Sequence, residues 1–87
     1  MCGFAFSNRP FFKLEWMTEF SERRGPDITT QSNRQGYNFV HHLLSITGDR
    51  ITQPFRSEDD AIYAIYNGEI YNHEDFGSFQ TDGQCVI

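Results

Sequence analysis

The chain changes hydrophobic period several times, and each change marks an element. Residues 2–7, "CGFAFS", alternate in a way that predicts a short strand close to the N-terminus. "SNRP" follows as a helix entry, with Asn8 able to cap and Pro10 suited to a first turn. Phe12, Trp16 and Phe20 then recur at i, i+4, i+8 with Met17 beside them, while Lys13, Glu15, Glu19 and Glu22 are polar. That spacing predicts an amphipathic helix whose apolar stripe serves as core or interface. Gly25-Pro26 ends it. "TTQSNRQG" reads as an exposed loop, and "YNFVHHLLSI", 37–46, as a strand closed by the turn residues "TGDR". "AIYAIY", 61–66, reads as a further strand, "HEDFGSFQTDGQ" as loop or broken helix, and "CVI" as the beginning of another element.

Asn67-Gly68 follows the 61–66 strand directly, and Asn-Gly beside β-forming residues signals a type I′ hairpin turn with positive φ at both positions. Strand, helix, then further strands predict an α+β arrangement with an antiparallel sheet packed against a helix. The βαβ rhythm of a nucleotide-binding parallel sheet is absent from the pattern. A sheet of this size under one helix leaves its second face partly bare, and the chain closes on the apolar "CVI". The expectation is an incomplete domain, residues 1–87, or a chain completed by self-association.

Composition narrows the function classes. The 87 residues carry 7 basic and 12 acidic side chains, a net charge of −5 with no basic run, which argues against a nucleic-acid partner. The longest apolar stretches are too short to cross a bilayer, and the N-terminus lacks the charged-then-apolar order of a signal peptide. Cys2 and Cys85, at opposite ends, make a poor disulfide framework, so a reducing cytoplasm is expected. His41-His42 and His73 raise a metal site only briefly. Neighbouring strand residues point to opposite faces, so one ion does not easily use both members of the pair. Neither a metal nor a cofactor is expected.

Cys2 is the candidate nucleophile. If Met1 is removed, one residue carries both a thiol and a free α-amine, whose pKa of about 7.7–8.0 leaves part of it unprotonated at neutral pH. Such an amine can accept the thiol proton and act as the base a nucleophile requires. The ordinary alternative is a small residue on a first strand.

"MCGFAF" (1–6), "RRGPD" (23–27), "HHLLSI" (41–46), "QP" (53–54), "YNGEIYN" (66–72) and "TDGQ" (81–84) occur in one order and at suitable intervals. Together they resemble the glutaminase domain of class II glutamine amidotransferases, most closely the asparagine synthetase type. The resemblance spans the whole chain but only about the first half of that domain. It implies part of the αββα sandwich of N-terminal nucleophile (Ntn) hydrolases, with glutamine or a related small amide as substrate. It also implies Cys2 as the nucleophile that forms a thioester and releases ammonia, and Asn67 with Gly68 as the oxyanion hole. Asp82 then matches the carboxylate that binds the substrate ammonium, and Glu69 the acidic residue beside the oxyanion pair. The "RGPD" residues are expected to support the site rather than to react.

Two positions depart from the pattern. Leu43 stands where the family has an arginine that clamps the α-carboxylate of glutamine, and Gln84 where it usually has glutamate. Leucine cannot replace a bidentate guanidinium. His42, Arg24 and Arg50 are the cations that could stand in. The rival to an enzyme is a non-catalytic truncated amidotransferase-like domain that folds as a homo-oligomer.

Overall fold

The computed structural model describes residues 2–10, 14–46 and 49–87. Phe12, Lys13 and the first half of the "TGDR" turn lie outside that set. The described elements are α+β, with two antiparallel sheets and one α-helix. Strand β1 covers Gly3–Ser7, helix α1 Leu14–Ser21, β2 Ile28–Arg34 and β3 Tyr37–Leu43. Two short strands follow, β4 at Phe55–Arg56 and β5 at Tyr63–Ala64. Short 3-10 helices occupy Glu22–Arg24, His73–Asp75 and Asp82–Val86.

The main sheet has the order β1-β3-β2, and β3 is its centre. Gly3 is paired with His42 and Phe6 with Phe39 on one side, Thr30 with His41 and Arg34 with Tyr37 on the other. Because side chains alternate across a strand, Gly3, Val40 and His42 share one face, and Phe6, Phe39, His41 and Leu43 the other. The helix and the 3-10 turn after it lie on the first face. They come so close at Gly3 that an added Cβ would sit 2.8 Å from the Ser21 carbonyl oxygen, and one at Gly25 would run into the His42 carbonyl. The β4–β5 hairpin covers the other face, where the rings of Phe39 and Tyr63 lie 6.4 Å apart and the Thr30 hydroxyl donates to the Gln53 carbonyl at 3.0 Å. The layers are thus helix, three-stranded sheet and two-stranded sheet.

Burial concentrates on β3. Phe39, Val40, Leu43 and, from β4, Phe55 form the buried apolar set among the described residues, and His41 and His42 are buried with them.

Three expectations from the pattern need correction. "TTQSNRQG" is not a loop: residues 28–34 are strand β2, and the two-residue turn to β3 is Gln35-Gly36, with φ of 51° and 85°. Positive φ at both central residues is the type I′ signature. Ile28, Thr30 and Ser32 are half-buried on one side of β2 while Thr29 and Gln31 are exposed, so a period of two exists but is written in hydroxyl residues. Asn67-Gly68, by contrast, is not such a turn. The described non-glycine residues with positive φ are Gln35 and Asp60, the glycines Gly36 and Gly77, and the 61–66 strand shrinks to Tyr63–Ala64.

The helical stripe is also turned the other way from a core stripe: Trp16 is 62 % exposed and Phe20 69 %. Among the described side chains of α1, Ser21 meets the sheet at Gly3, a contact set by close approach of small groups. Phe12 lies outside the described residues.

Candidate active site

The end of β3 organises the site. Cys2, the residue before β1, hydrogen-bonds the residue after β3: its Sγ accepts the Leu44 N–H at 3.3 Å and the thiol faces the Leu44 carbonyl at 3.7 Å. Antiparallel pairing of Gly3 with His42 brings the chain start beside this strand end. The "RGPD" segment clips the same point. Asp27 donates its N–H to the Leu43 carbonyl at 2.9 Å, and its carboxylate accepts the Ser45 N–H at 2.8 Å. Gly25 is required there because a side chain would run into the backbone at His42.

Opposite Cys2 lies the segment after β5. The side chain of Gln53, 8 % exposed, accepts the Tyr66 N–H at 2.7 Å and donates to the Tyr66 carbonyl at 3.0 Å. Its own carbonyl holds the Thr30 hydroxyl, tying this connection to β2. The backbone leading into Asn67-Gly68 is therefore fixed by a side chain and not by a strand ladder. The Tyr66 ring folds back over Gly68, where an added Cβ would come within 2.7 Å of the phenol oxygen. Burial first, then the nearby Asp82, raises the Tyr66 pKa, so the phenol stays a hydrogen-bond donor at neutral pH.

The third part is the 3-10 helix at 82–86. Asp82 accepts the Ile70 N–H at 2.6 Å through Oδ2 and faces the Thr81 hydroxyl at 3.3 Å through Oδ1. Gln84 accepts the N–H groups of Gln80 and Thr81 through its side-chain carbonyl, at 2.8 and 3.2 Å. It thereby caps the start of this short helix.

These three parts enclose one cleft of about 400 Å³. Cys2, Asn67, Gly68, Glu69 and Asp82 all line it, together with Leu43. None of His42, Arg24 and Arg50 does. His42 is fully buried in the main sheet, its Nδ1 2.9 Å from the Thr29 hydroxyl. Its neighbour His41 lies on the opposite face, with both ring nitrogens buried and without a hydrogen-bond partner. Burial, reinforced by His42, lowers the His41 pKa from 6.5 to about 4. Gln53 and the Leu44 backbone are the positioning groups that sequence reasoning did not single out. The order "QP" before "YNG" was the available signal, but nothing in it says that the Gln53 carboxamide brackets Tyr66.

Known proteins are similar to this chain in sequence. The family model for the glutamine amidotransferase domain matches residues 1–84. An asparagine synthetase (glutamine-hydrolyzing) of Brassica oleracea is 43 % identical over 72 residues, covering 74 % of this chain and 12 % of the relative. A Zea mays asparagine synthetase (glutamine-hydrolyzing) is 33 % identical over 88 residues, covering 86 % and 14 %. Amidase chyE of Penicillium rubens is 34 % identical over 64 residues, covering 71 % and 10 %. The chain therefore spans only about a tenth to a seventh of the length of these relatives. No solved structure matches the chain. The match over residues 1–84 makes this chain a member of the glutamine amidotransferase domain family.

Proposed function

We propose that the chain is the N-terminal part of a glutamine amidotransferase-type amide hydrolase with Cys2 as its nucleophile. The observation that carries this reading is the common cleft: a thiol held at the end of β3 lines the same cavity as the Asn67-Gly68 segment and the Asp82 carboxylate. Removal of Met1 frees the Cys2 α-amine, which takes the thiol proton. The sulfur then attacks the amide carbon, and the C–N bond breaks. The nitrogen leaves as ammonia with the proton returned from the α-ammonium. Water attacks the resulting thioester, giving the acid and restoring the thiol.

The Asn67 side-chain amide and the Gly68 N–H stabilise the oxyanion formed at each attack. Loss of one such donor typically costs about 2.7–4 kcal/mol of transition-state stabilisation. Asp82, with Glu69 beside it, binds the substrate ammonium. A reducing compartment such as the cytoplasm suits a mechanism that needs Cys2 as a free thiol.

Intact mass and ammonia release test the reading together. A mass lacking Met1, with ammonia release from an amide that is abolished in Cys2→Ser, is the expected result. Folded, processed protein that releases no ammonia from any primary amide overturns it.

The alternative is a non-catalytic domain that associates with itself to complete an αββα sandwich. It is favoured by the exposed aromatic surface of β1 and β3, where Phe6 (53 % exposed) stacks on Tyr37 (48 % exposed). Surfaces of this kind are commonly covered in assemblies. Sedimentation that finds a monomer at all concentrations removes this reading.

A further inference from the structure

The cleft differs sharply in how it would receive the two charged groups of an amino-acid amide. Three carboxylates line it, those of Asp49, Glu69 and Asp82, and no lysine, arginine or histidine does so among the described residues. Asp82 is held in place by the Ile70 N–H and keeps further lone pairs for an ammonium.

Several backbone donors at and beside the cleft are already engaged. Leu44 N–H goes to the Cys2 sulfur, Ser45 N–H to Asp27, and Tyr66 N–H to Gln53. Ile70 N–H goes to Asp82 and Thr81 N–H to Gln84. Much of the remaining wall is apolar, including Leu43, Ile46, Ile51 and Phe55. A ligand carboxylate entering at the Asp82 end loses water, meets three like charges and finds no basic side chain among the described lining residues and none of these engaged amides. Each of those is a cost that no described basic side chain of the cleft offsets.

We infer that this cleft takes a primary amide whose far end carries an ammonium and no carboxylate. Of glutamine's length, 4-aminobutanamide is the simplest member of that class. The inference names the substrate class of the site proposed above and rests on that reading. The amide group meets Cys2 and Asn67-Gly68, and the ammonium reaches Asp82 and Glu69. The apolar wall covers the methylenes between them.

Matched probes separate the two charges. 4-Aminobutanamide has only the ammonium, glutaric acid monoamide only the carboxylate, and glutamine both. In Cys2→Ala protein, which binds without turnover, 4-aminobutanamide should shift the amide resonances of residues 67–69 and 82. It should bind about tenfold or more tighter than either other probe, and lose that margin as salt screens the attraction. Asp82→Asn combined with Glu69→Gln should abolish the preference. Protection of wild-type Cys2 from alkylation, read on the Cys2 peptide by mass spectrometry, gives the same ranking if the alanine variant does not fold.

Glutamine or glutaric acid monoamide binding as tightly as 4-aminobutanamide overturns the inference, and so does absence of any 4-aminobutanamide binding. The selectivity found without ammonia release leaves the inference standing and removes the hydrolase reading. Ammonia release fastest from glutamine does the reverse.

Discussion

Gln53 satisfies both backbone polar groups of Tyr66 with a single carboxamide, accepting at 2.7 Å and donating at 3.0 Å. This pairing does what a neighbouring strand would otherwise do for the residue that leads into Asn67-Gly68. Gln53→Leu keeps much of the volume and removes both partners. Part-buried backbone groups left without partners cost about 1–3 kcal/mol each at most. The expected result is a loss of about 2 kcal/mol in urea unfolding and loss of hydrogen-exchange protection at the Tyr66 amide. Unchanged protection at Tyr66 would show that the bracket contributes nothing to local order.

Gly25 and Gly36 separate two reasons for glycine. Gly36 sits at φ 85° with nothing within 4 Å of an added Cβ, so Gly36→Ala strains only the backbone and should cost about 1 kcal/mol. At Gly25 a Cβ would meet the His42 backbone, the most buried part of the sheet. Gly25→Ala should therefore cost more, about 2–3 kcal/mol, because the 3-10 turn must lift off the sheet. Denaturant midpoints of the two variants, compared directly, check the order.

His41 gives the fold an acid-sensitive point. Its folded pKa, lowered to about 4, lies below the unfolded value of 6.5, so the unfolded chain binds the proton first. Stability from this group is complete above pH 6.5 and falls as pH drops from 6.5 toward 4. The loss over that window is about 2–3 kcal/mol. His41→Leu removes two buried nitrogens that have no partner, so it should hold or raise the melting temperature at pH 7 and flatten its fall between pH 6.5 and 4. An acid limb as steep as that of the unsubstituted protein would assign the effect to other groups.

Asn67→Ala tests the oxyanion role. If the side-chain amide faces the developing charge, turnover of the best amide should fall about 100- to 1,000-fold with substrate binding little changed. An equal loss in kcat/KM and binding, with kcat intact, would make Asn67 a binding residue instead.

The periodicity was sufficient for β1, for most of β3 and for a helix ending before Gly25, because those stretches combine regular spacing with residues of strong preference. It failed at β2, whose inner face is made of Thr30 and Ser32, and at Asn67-Gly68, whose hairpin chemistry is used elsewhere by Gln35-Gly36. Local preference at 67–68 was overridden by Gln53, which is fourteen positions away from Asn67 and acts through Tyr66. No window of sequence contains that contact.

The sequence by itself determined the family, the order of the motifs and the chemistry-bearing residue types, because each of those is carried by residue identity at fixed spacing. Only the tertiary structure decided that Cys2 lies beside Leu44, that residues 2, 67, 68, 69 and 82 share one cleft, and that the cleft is lined by carboxylates without a cation among the described residues. Those facts depend on antiparallel pairing that joins Gly3 to His42 and on side chains that bridge distant loops. Such juxtapositions arise from long-range packing, which spacing along a chain does not encode.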